Sequence, residues 1–580
     1  MAEVVKLKKN PYGKSEFTTL RQGNYAYVDK TRYIELLEEF ADDHPFILRP
    51  RRFGKSLFTL TLEAYYDEYY ADEFEKNFAG TYIAEHKTPL ASAFRVIHFD
   101  FSGFSSSPDL GFSFKGSVKR SIEGYFSRYP HPRQMEVLTG KYPDASSLLE
   151  AFLGILGDTC RQKLYVIIDE YDQFANAILA SDVHRFKNMT SRDGFYKDFF
   201  TTLKKATKGA VAHVFITGVS AFSLDSMTSG FNVADKITSS SLFSGMFGFT
   251  ERELRDLIPQ IVDLKASGLD VDKVISRLKE WYNGYRFSSL SDETVFNSTM
   301  CLYYLRSLRR EKKEPSEMLD SNLGQDLETI ENTLRLADSK VVESVIRKAL
   351  AGKAIPFKET PSDLNLNGED DFDEESVLSA LFYMGFLTFV PGKRAELCIP
   401  NQAIKIQFFR YYLKHIMHAR NLKFSGTEFE SAKRELAQGK PEAFSHFICD
   451  RYRDSSGLHS HAHLRESNFQ TLLVTGFLLT NMFTISSEQE IQGCTEAKGY
   501  ADILAVPQKG SGAKFSYLIE IKHLKASEGR KKATLEKTVS EAKAQLDRYV
   551  QGRNIRNIKK LKRIIAVFVG VELKVLEVFD

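Results

Sequence analysis

At 580 residues, with 43% hydrophobic and 27% charged side chains, the chain is an ordinary globular sequence too long for one hydrophobic core, and roughly three or four domains are expected. Its net charge of +3 excludes nucleic-acid affinity through the global balance, so any such affinity must be local; residues 514–580 hold 16 Lys/Arg against 8 Asp/Glu. Five scattered cysteines without a CxxC pair exclude a zinc ribbon and a disulfide framework and fit a reducing cytoplasm, and the apolar run "TLLVTGFLLTNMF", at 13 residues, falls short of the ~20 needed to cross a bilayer.

In chain order, the start "MAEVVKLKKN" has no apolar segment of a secretory signal, so a soluble cytoplasmic protein with no membrane partner is expected. "PFIL" (45–48) reads as a short strand and "KSLFTLTLEAYYDEYY" after it as a helix. "FRVIHFDFS" (94–102), "KLYVIIDE" (163–170) and "AHVFITGVS" (212–220) read as further strands separated by long helical stretches, the pattern of a parallel sheet with crossover helices. Thr250 and Glu253 in "FTEREL" stand at capping-box spacing and mark a helix start. Residues 251–350 read as mainly helical, interrupted by "YNGYRF" (282–287), and "NGEDDFDEE" (367–375) as a solvated loop. A helix, a strand, a "PGKR" turn and a second strand follow, resembling a winged-helix module. A new mixed domain starts near residue 425 and ends in the basic tail.

The stretch Arg49-Pro50-Arg51-Arg52-Phe53-Gly54-Lys55-Ser56 matches the phosphate-loop pattern G-x-x-x-x-G-K-[ST] except at its first glycine. Gly54, Lys55 and Ser56 supply a turn, a cation for terminal phosphates and a hydroxyl for Mg²⁺, between a strand and a helix. The apolar strand ending in Asp169-Glu170 supplies the partner such a loop requires: the aspartate for Mg²⁺, the glutamate to orient and deprotonate the attacking water. Thr217, at the end of a fourth strand, is placed to touch that water. These signals in this order favour an ATP site over a basic turn that happens to contain GKS.

"YVDKT", "RPRRFGKS", "IIDEYD", "FITGVS", "FGFTEREL" and "WYNGYRF" together resemble the predicted AAA-type ATPase family of bacterial and mobile-element proteins. The resemblance covers most of residues 10–410 and implies an AAA-type sheet with a helical lid, joined to a C-terminal PD-(D/E)XK nuclease-like domain. It implies that residues 49–56, Asp169 and Thr217 attend the nucleotide. The family commonly reads RPRRFGKS, and Arg49 either stiffens the loop or touches the nucleotide. Arg286 reads as a surface arginine rather than a phosphate ligand. An AAA-type resemblance also suggests assembly of copies into a ring.

In the last quarter, "YADILAV" and "FSYLIEIK" read as a hairpin. Glu520 and Lys522, two apart on one strand, share a face, and Asp502 on the neighbouring strand would converge with Glu520 on a hard divalent cation. Lys522 would hold a water and offset charge on phosphorus. Gln545 and Tyr549 lie four apart on one helical face, and Glu466 opens an apolar helix upstream. Asp, Glu-x-Lys and Gln-x-x-x-Tyr after a helical Glu resemble the PD-(D/E)XK nuclease superfamily over roughly 425–575. That resemblance makes Asp502, Glu520 and Lys522 the active site, Glu466 an auxiliary acid, and Gln545 and Tyr549 orienting residues. "EGRKKATLEK" and "RNIRNIKKLKR" suit a phosphate backbone. "HSHAH" (His459, His461, His463) reads as a loop rather than a metal site.

The expectation is thus an α/β multidomain protein: an AAA-type P-loop core (10–250), a helical lid and winged-helix-like region (251–420), and a restriction-endonuclease-like α/β domain (421–580). Its expected activity is ATP-controlled, Mg²⁺-dependent cleavage of nucleic acid, DNA ahead of RNA. The alternative is a nucleotide-driven switch whose nuclease-like domain binds DNA or a protein without cleaving.

Overall fold

The apolar runs of the first quarter become the strands of a parallel sheet. A computed structural model describes residues 7–103, 109–157, 163–174, 194–220, 230–315, 317–320, 330–350, 352, 354–358, 373–419, 426–455, 466–480, 482–491, 499–508 and 511–580. The three histidines of "HSHAH" and most of the acidic run lie outside them. The strands are β1 (Pro45–Leu48), β2 (Arg95–Asp100), β3 (Leu164–Asp169), β4 (Val211–Gly218) and β5 (Asp235–Lys236), in the order β2-β3-β4-β1-β5, every neighbouring pair parallel. All six residues of β3 are buried, as a strand covered on both faces requires. Helices α1 (Lys55–Tyr66), α2 (Leu110–Arg128), α3 (Ala145–Gly157) and α4 (Phe195–Ala206) connect the strands. The carboxyl ends of β1, β4 and β3 therefore stand side by side, where open α/β sheets bind ligands.

Beyond the sheet come α5 (Glu251–Ile261), α6 (Val271–Tyr282), α7 (Ser298–Glu311) and α8 (Ser339–Leu350). The capping box forms as its spacing predicts: Thr250 Oγ1 accepts from the Glu253 N–H and the Glu253 carboxylate from the Thr250 N–H. Glu253 has a second duty, pairing at 2.7 Å with the largely buried Lys30, which also donates to the Gly245 carbonyl. After α8, β6 (Ile355–Pro356), α9 (Glu374–Tyr383), β7 (Thr388–Phe389) and β8 (Glu396–Cys398) follow, the strands forming an antiparallel sheet in the order β6-β8-β7. The expected two-stranded hairpin thus gains a third strand from upstream.

Arg286, expected at the surface, is only 4% exposed. Its backbone N–H donates to Thr388 Oγ1 (2.7 Å) and its guanidinium to the Asp292 carbonyl (3.3 Å), because β7, 102 residues further on, covers the turn that carries it.

The chain divides into two compact units, Met1–Ile404 and Lys405–Asp580, with the boundary inside α10 (Gln402–Ala419). The second unit contains α11 (Thr427–Ala437), α12 (Glu442–Ser455) and α13 (Glu466–Leu479), then β9 (Phe483–Ile491), β10 (Gly499–Pro507), β11 (Ser516–Leu524), α14 (Lys532–Tyr549), β12 (Leu561–Val569) and β13 (Glu572–Phe579). The sheet order is β13-β12-β11-β10-β9. Only β11 and β12 pair parallel, and α14 is the crossover that parallel pairing needs. One face packs on α13 through Phe469 and Phe477, which meet Phe568 and Tyr517. The other packs on Ala542, Leu546 and Tyr549 of α14, at helical spacing, against Leu504 and Leu518.

Replacing Thr250 by Ala should cost the first unit about 1 kcal/mol. Glu253→Ala should cost more, because Lys30 would lose its carboxylate partner inside the protein. Urea unfolding followed by circular dichroism measures both.

Candidate functional site

The phosphate loop leaves β1 and enters α1 through a left-handed turn. Gly54 has φ +93° and Arg52 φ +72°; the first suits glycine, and the second is uncommon for a residue with a side chain. Neighbours hold the turn in place. The Arg52 carbonyl accepts from Ser298 Oγ, Thr299 Oγ1 and the Thr299 N–H, and the Phe53 carbonyl from the Gly248 N–H. With those carbonyls tied down, the N–H groups of the first turn of α1, which have no intrahelical partner, remain for an anion.

Arg49, which replaces the first glycine, is fully buried. Its guanidinium donates to the carbonyls of Leu48 (2.7 Å), Thr238 (2.8 Å) and Phe243 (3.1 Å) and lies over the Phe287 ring at 4.5 Å. Burial pulls its pKa down to about 9. Of the two roles left open for it, this geometry favours the stiffening one. Pro50 likewise faces protein, against Gly385, and Arg51 donates to Gln173 Oε1 at 2.8 Å.

Lys55, 4% exposed, donates to the Pro50 carbonyl at 3.2 Å. Ser56 lies beside the Asp169 carboxylate at the end of β3 and helps to lower its pKa, and Thr59 Oγ1, one helical turn on, donates to Asp169 Oδ2 at 3.5 Å. Burial raises the pKa of Asp169, while Lys55, Ser56 and His98 pull it back. Burial also raises that of Glu170, which sits at φ +53° with its N–H on Asp169 Oδ1 (2.9 Å). Thr217 is completely buried, and its hydroxyl has no partner among the described residues. Asp172 joins the two strand ends: its carboxylate accepts from the N–H groups of Val219 (3.0 Å) and Ser220 (2.7 Å). Gly218 must be glycine, since a Cβ there would come within 2.4 Å of Asp172.

A cavity of about 390 Å³, a typical size for a small-ligand site, opens beside the loop. Arg52, Lys55, Ser56 and Glu170 line it together with Tyr27 and Lys30. Tyr27 and Lys30 belong to "YVDKT", a motif whose chemistry the sequence did not assign. Behind Asp169, His98 on β2 bonds Glu63 at 2.8 Å, and Glu63 pairs with Arg128 at 2.7 Å. Burial lowers the His98 pKa, but Glu63 outweighs it and the net shift is upward. No local pattern marks this cluster, because its members come from α1, β2 and α2.

The second cluster is built on two antiparallel strands. Asp502 lies on β10 one residue before Ile503, which pairs with Ile519 of β11; Asp502 Oδ2 accepts from the Ile521 N–H at 2.6 Å. Glu520, 2% exposed, pairs through Oε1 with Lys522 Nζ at 2.7 Å, while its Oε2 has no partner among the described residues. Glu466, at the start of α13, reaches Lys522 at 3.8 Å, and Gln470 of the same helix donates to the Asp502 carbonyl at 2.8 Å. Gln545 Oε1 is buried without a partner among the described residues, and Tyr549, one helical turn on, is buried as well. The cluster thus gathers Asp502, Glu520, Lys522 and Glu466, with Gln545 and Tyr549 on the helix covering that face of the sheet.

Burial, reinforced by the Glu520 charge, pushes the pKa of Asp502 up to about 8. Burial raises Glu520 as well, with Lys522 pulling it back. Lys522 would be lowered by burial, but Glu520, Glu466 and Asp502 outweigh that and raise it. Two carboxyls that resist losing both protons, one with an unpartnered buried oxygen, fit a divalent cation. Among the described residues no three His, Cys, Asp or Glu side chains are arranged to hold a metal, so these two acids alone would not complete a coordination shell.

Comparison with known proteins agrees with this geometry. Residues 11–228 match the family model described as predicted AAA-ATPase, and residues 464–578 match that of the PD-(D/E)XK nuclease superfamily. The chain therefore joins an AAA-ATPase-like domain to a C-terminal PD-(D/E)XK nuclease superfamily domain. It is also 29% identical over 324 residues to an uncharacterized protein in the vnfD 5′ region of Azotobacter chroococcum mcd 1, a match covering 52% of this chain and 53% of the relative. The chain thus spans about half the length of that curated relative.

Two outcomes follow. Arg49→Gly, which restores the consensus loop, should destabilise the protein by about 3 kcal/mol, because three buried carbonyls lose a cationic donor; urea titration measures the loss, and nucleotide affinity should fall. The second concerns Asp502. Because its folded pKa lies above the unfolded value of 3.8, the folded chain binds this proton more tightly, and the stability so gained is lost as pH rises toward about 8. Asp502→Asn keeps the acceptor for Ile521 and should stabilise the second unit at about pH 8, by on the order of 1 kcal/mol, but not at about pH 4. Melting curves across that range, with and without Mg²⁺, test the sign.

Proposed function

We propose that this protein binds and hydrolyses ATP in its first unit and cleaves nucleic acid in its second, DNA ahead of RNA, under nucleotide control. The observation that carries the nuclease reading is the meeting of Asp502, Glu520 and Lys522 on adjacent strands, with one Glu520 oxygen buried and unpartnered. Ser56 and Asp169 would hold one magnesium ion and Asp502 and Glu520 another, the ion supplying positive charge against phosphate oxygens and a more acidic water.

In the first unit Lys55 exchanges the Pro50 carbonyl for the terminal phosphates. Glu170 orients the attacking water and takes its proton, a role suited to a carboxyl whose pKa burial has raised. The unpartnered Thr217 hydroxyl holds the same water. In the second unit Lys522 places the nucleophilic water and offsets charge developing on phosphorus. Gln545 and Tyr549 orient the strand being cut, and Glu466 keeps Lys522 in position. Lys525, Arg530, Lys531 and Lys532, all exposed just after β11, provide a sequence-independent grip on the phosphate backbone.

The test incubates the full chain with linear, circular and single-stranded DNA, with and without ATP and Mg²⁺. Lys55→Ala should abolish ATP hydrolysis. Lys522→Ala should slow cleavage by about 100-fold or more while DNA affinity stays within about threefold. Equal degradation by wild type and Lys522→Ala would defeat the nuclease reading. DNA binding without cleavage under every condition would favour the nucleotide switch instead.

A further inference from the structure

The phosphate loop is wedged against the "YNGYRF" turn, and that turn is fastened to the start of α10. Phe53 meets Tyr285 edge-on, with ring centroids 4.8 Å apart, and Phe287 at 5.4 Å. On its other side the turn is held twice. Gly284, at φ +93°, lies so close to Pro400 that a Cβ would come within 2.2 Å of the Pro400 carbonyl oxygen. Asn401 Nδ2 donates to the Asn283 carbonyl at 2.7 Å, while Asn401 Oδ1 accepts from the Ile404 N–H at 3.1 Å. One buried side chain therefore both ties the turn and caps α10, the helix that runs across the boundary between the two units.

We propose that the 283–287 turn is the coupling element by which α10 registers whether the phosphate loop is filled. This rests on the reading that the loop takes ATP. In this proposal a phosphate that draws the N–H groups at the start of α1 inward shifts the Phe53 ring, whose carbonyl stays on the Gly248 N–H. Packed aromatic edges do not compress, so a displacement of Phe53 passes to Tyr285 and Phe287 and, through a turn without slack, to Asn401. The anchor is independent of the chemistry: neither Asn283 nor Asn401 is among the residues lining the nucleotide cavity. The test therefore reads the response at α10 itself.

Asn401→Asp keeps the oxygen that caps α10 and removes the donor to Asn283. Asn401→Ser keeps a capping oxygen without adding charge and guards against misfolding of the first variant. Amide hydrogen exchange of the full chain, with and without a non-hydrolysable ATP analogue and Mg²⁺, follows peptides covering 49–57, 283–287 and 402–411. In wild type the analogue should protect 49–57 and change exchange at least twofold over the other two segments. In both variants the responses at 49–57 and 283–287 should persist, and that at 402–411 should vanish. An α10 that ignores the nucleotide in wild type, or still responds fully in the variants, would overturn the proposal. Absence of protection at 49–57 would overturn it along with the ATP-site reading. A normal relay in a protein that cuts no DNA would sustain it while removing only the nuclease reading.

Discussion

Taking a carboxylate out of water penalises its charged form, and each of the two units places a pair of acids where that penalty operates. Asp169 and Glu170 end a strand covered on both faces. Asp502 and Glu520 lie across a strand pair capped by a helix. In both places a lysine, Lys55 or Lys522, offsets part of the negative charge, and the backbone of the sheet keeps the acids from relaxing apart. A flexible loop would let such groups drift into solvent and regain their ordinary acidity. The sheet backbone holds each pair of acids together where burial disfavours their charged forms.

The phosphate loop shows how a departure from a consensus can be a structural solution. A glycine at its first position would leave the carbonyls of Leu48, Thr238 and Phe243 without their shared donor. Arg49 satisfies all three and spreads its charge over the Phe287 face. Freedom of the backbone is exchanged for attachment to the segment after β5. Of the loop, only Arg52 to Ser56 line the neighbouring cavity.

What the sequence made legible depended on range. The buried strands, the β10–β11 hairpin, the Thr250–Glu253 cap and the Gln545/Tyr549 face are set by spacings of a few residues, so periodicity revealed them. Arg286 was misread because the strand that buries it lies a hundred residues away. The two roles of Arg49 could not be separated without knowing that carbonyls near 238 and 243 fold back over it. The Lys30–Glu253 pair and the Glu63–His98–Arg128 cluster are tertiary contacts between residues that each look like ordinary surface charge. The two-residue strands β5 and β6 are too short to leave any alternation.

Asp172 carries a consequence for how the first unit can move. By accepting from Val219 and Ser220 it ties the chain just after β3 to the end of β4, next to Glu170 and Thr217. The cavity that Glu170 lines is also lined by Tyr27 and Lys30, which belong to a separate segment of chain. On the proposed ATP-site reading, tolerance toward altered nucleotides would be set by the segment that carries Tyr27 and Lys30.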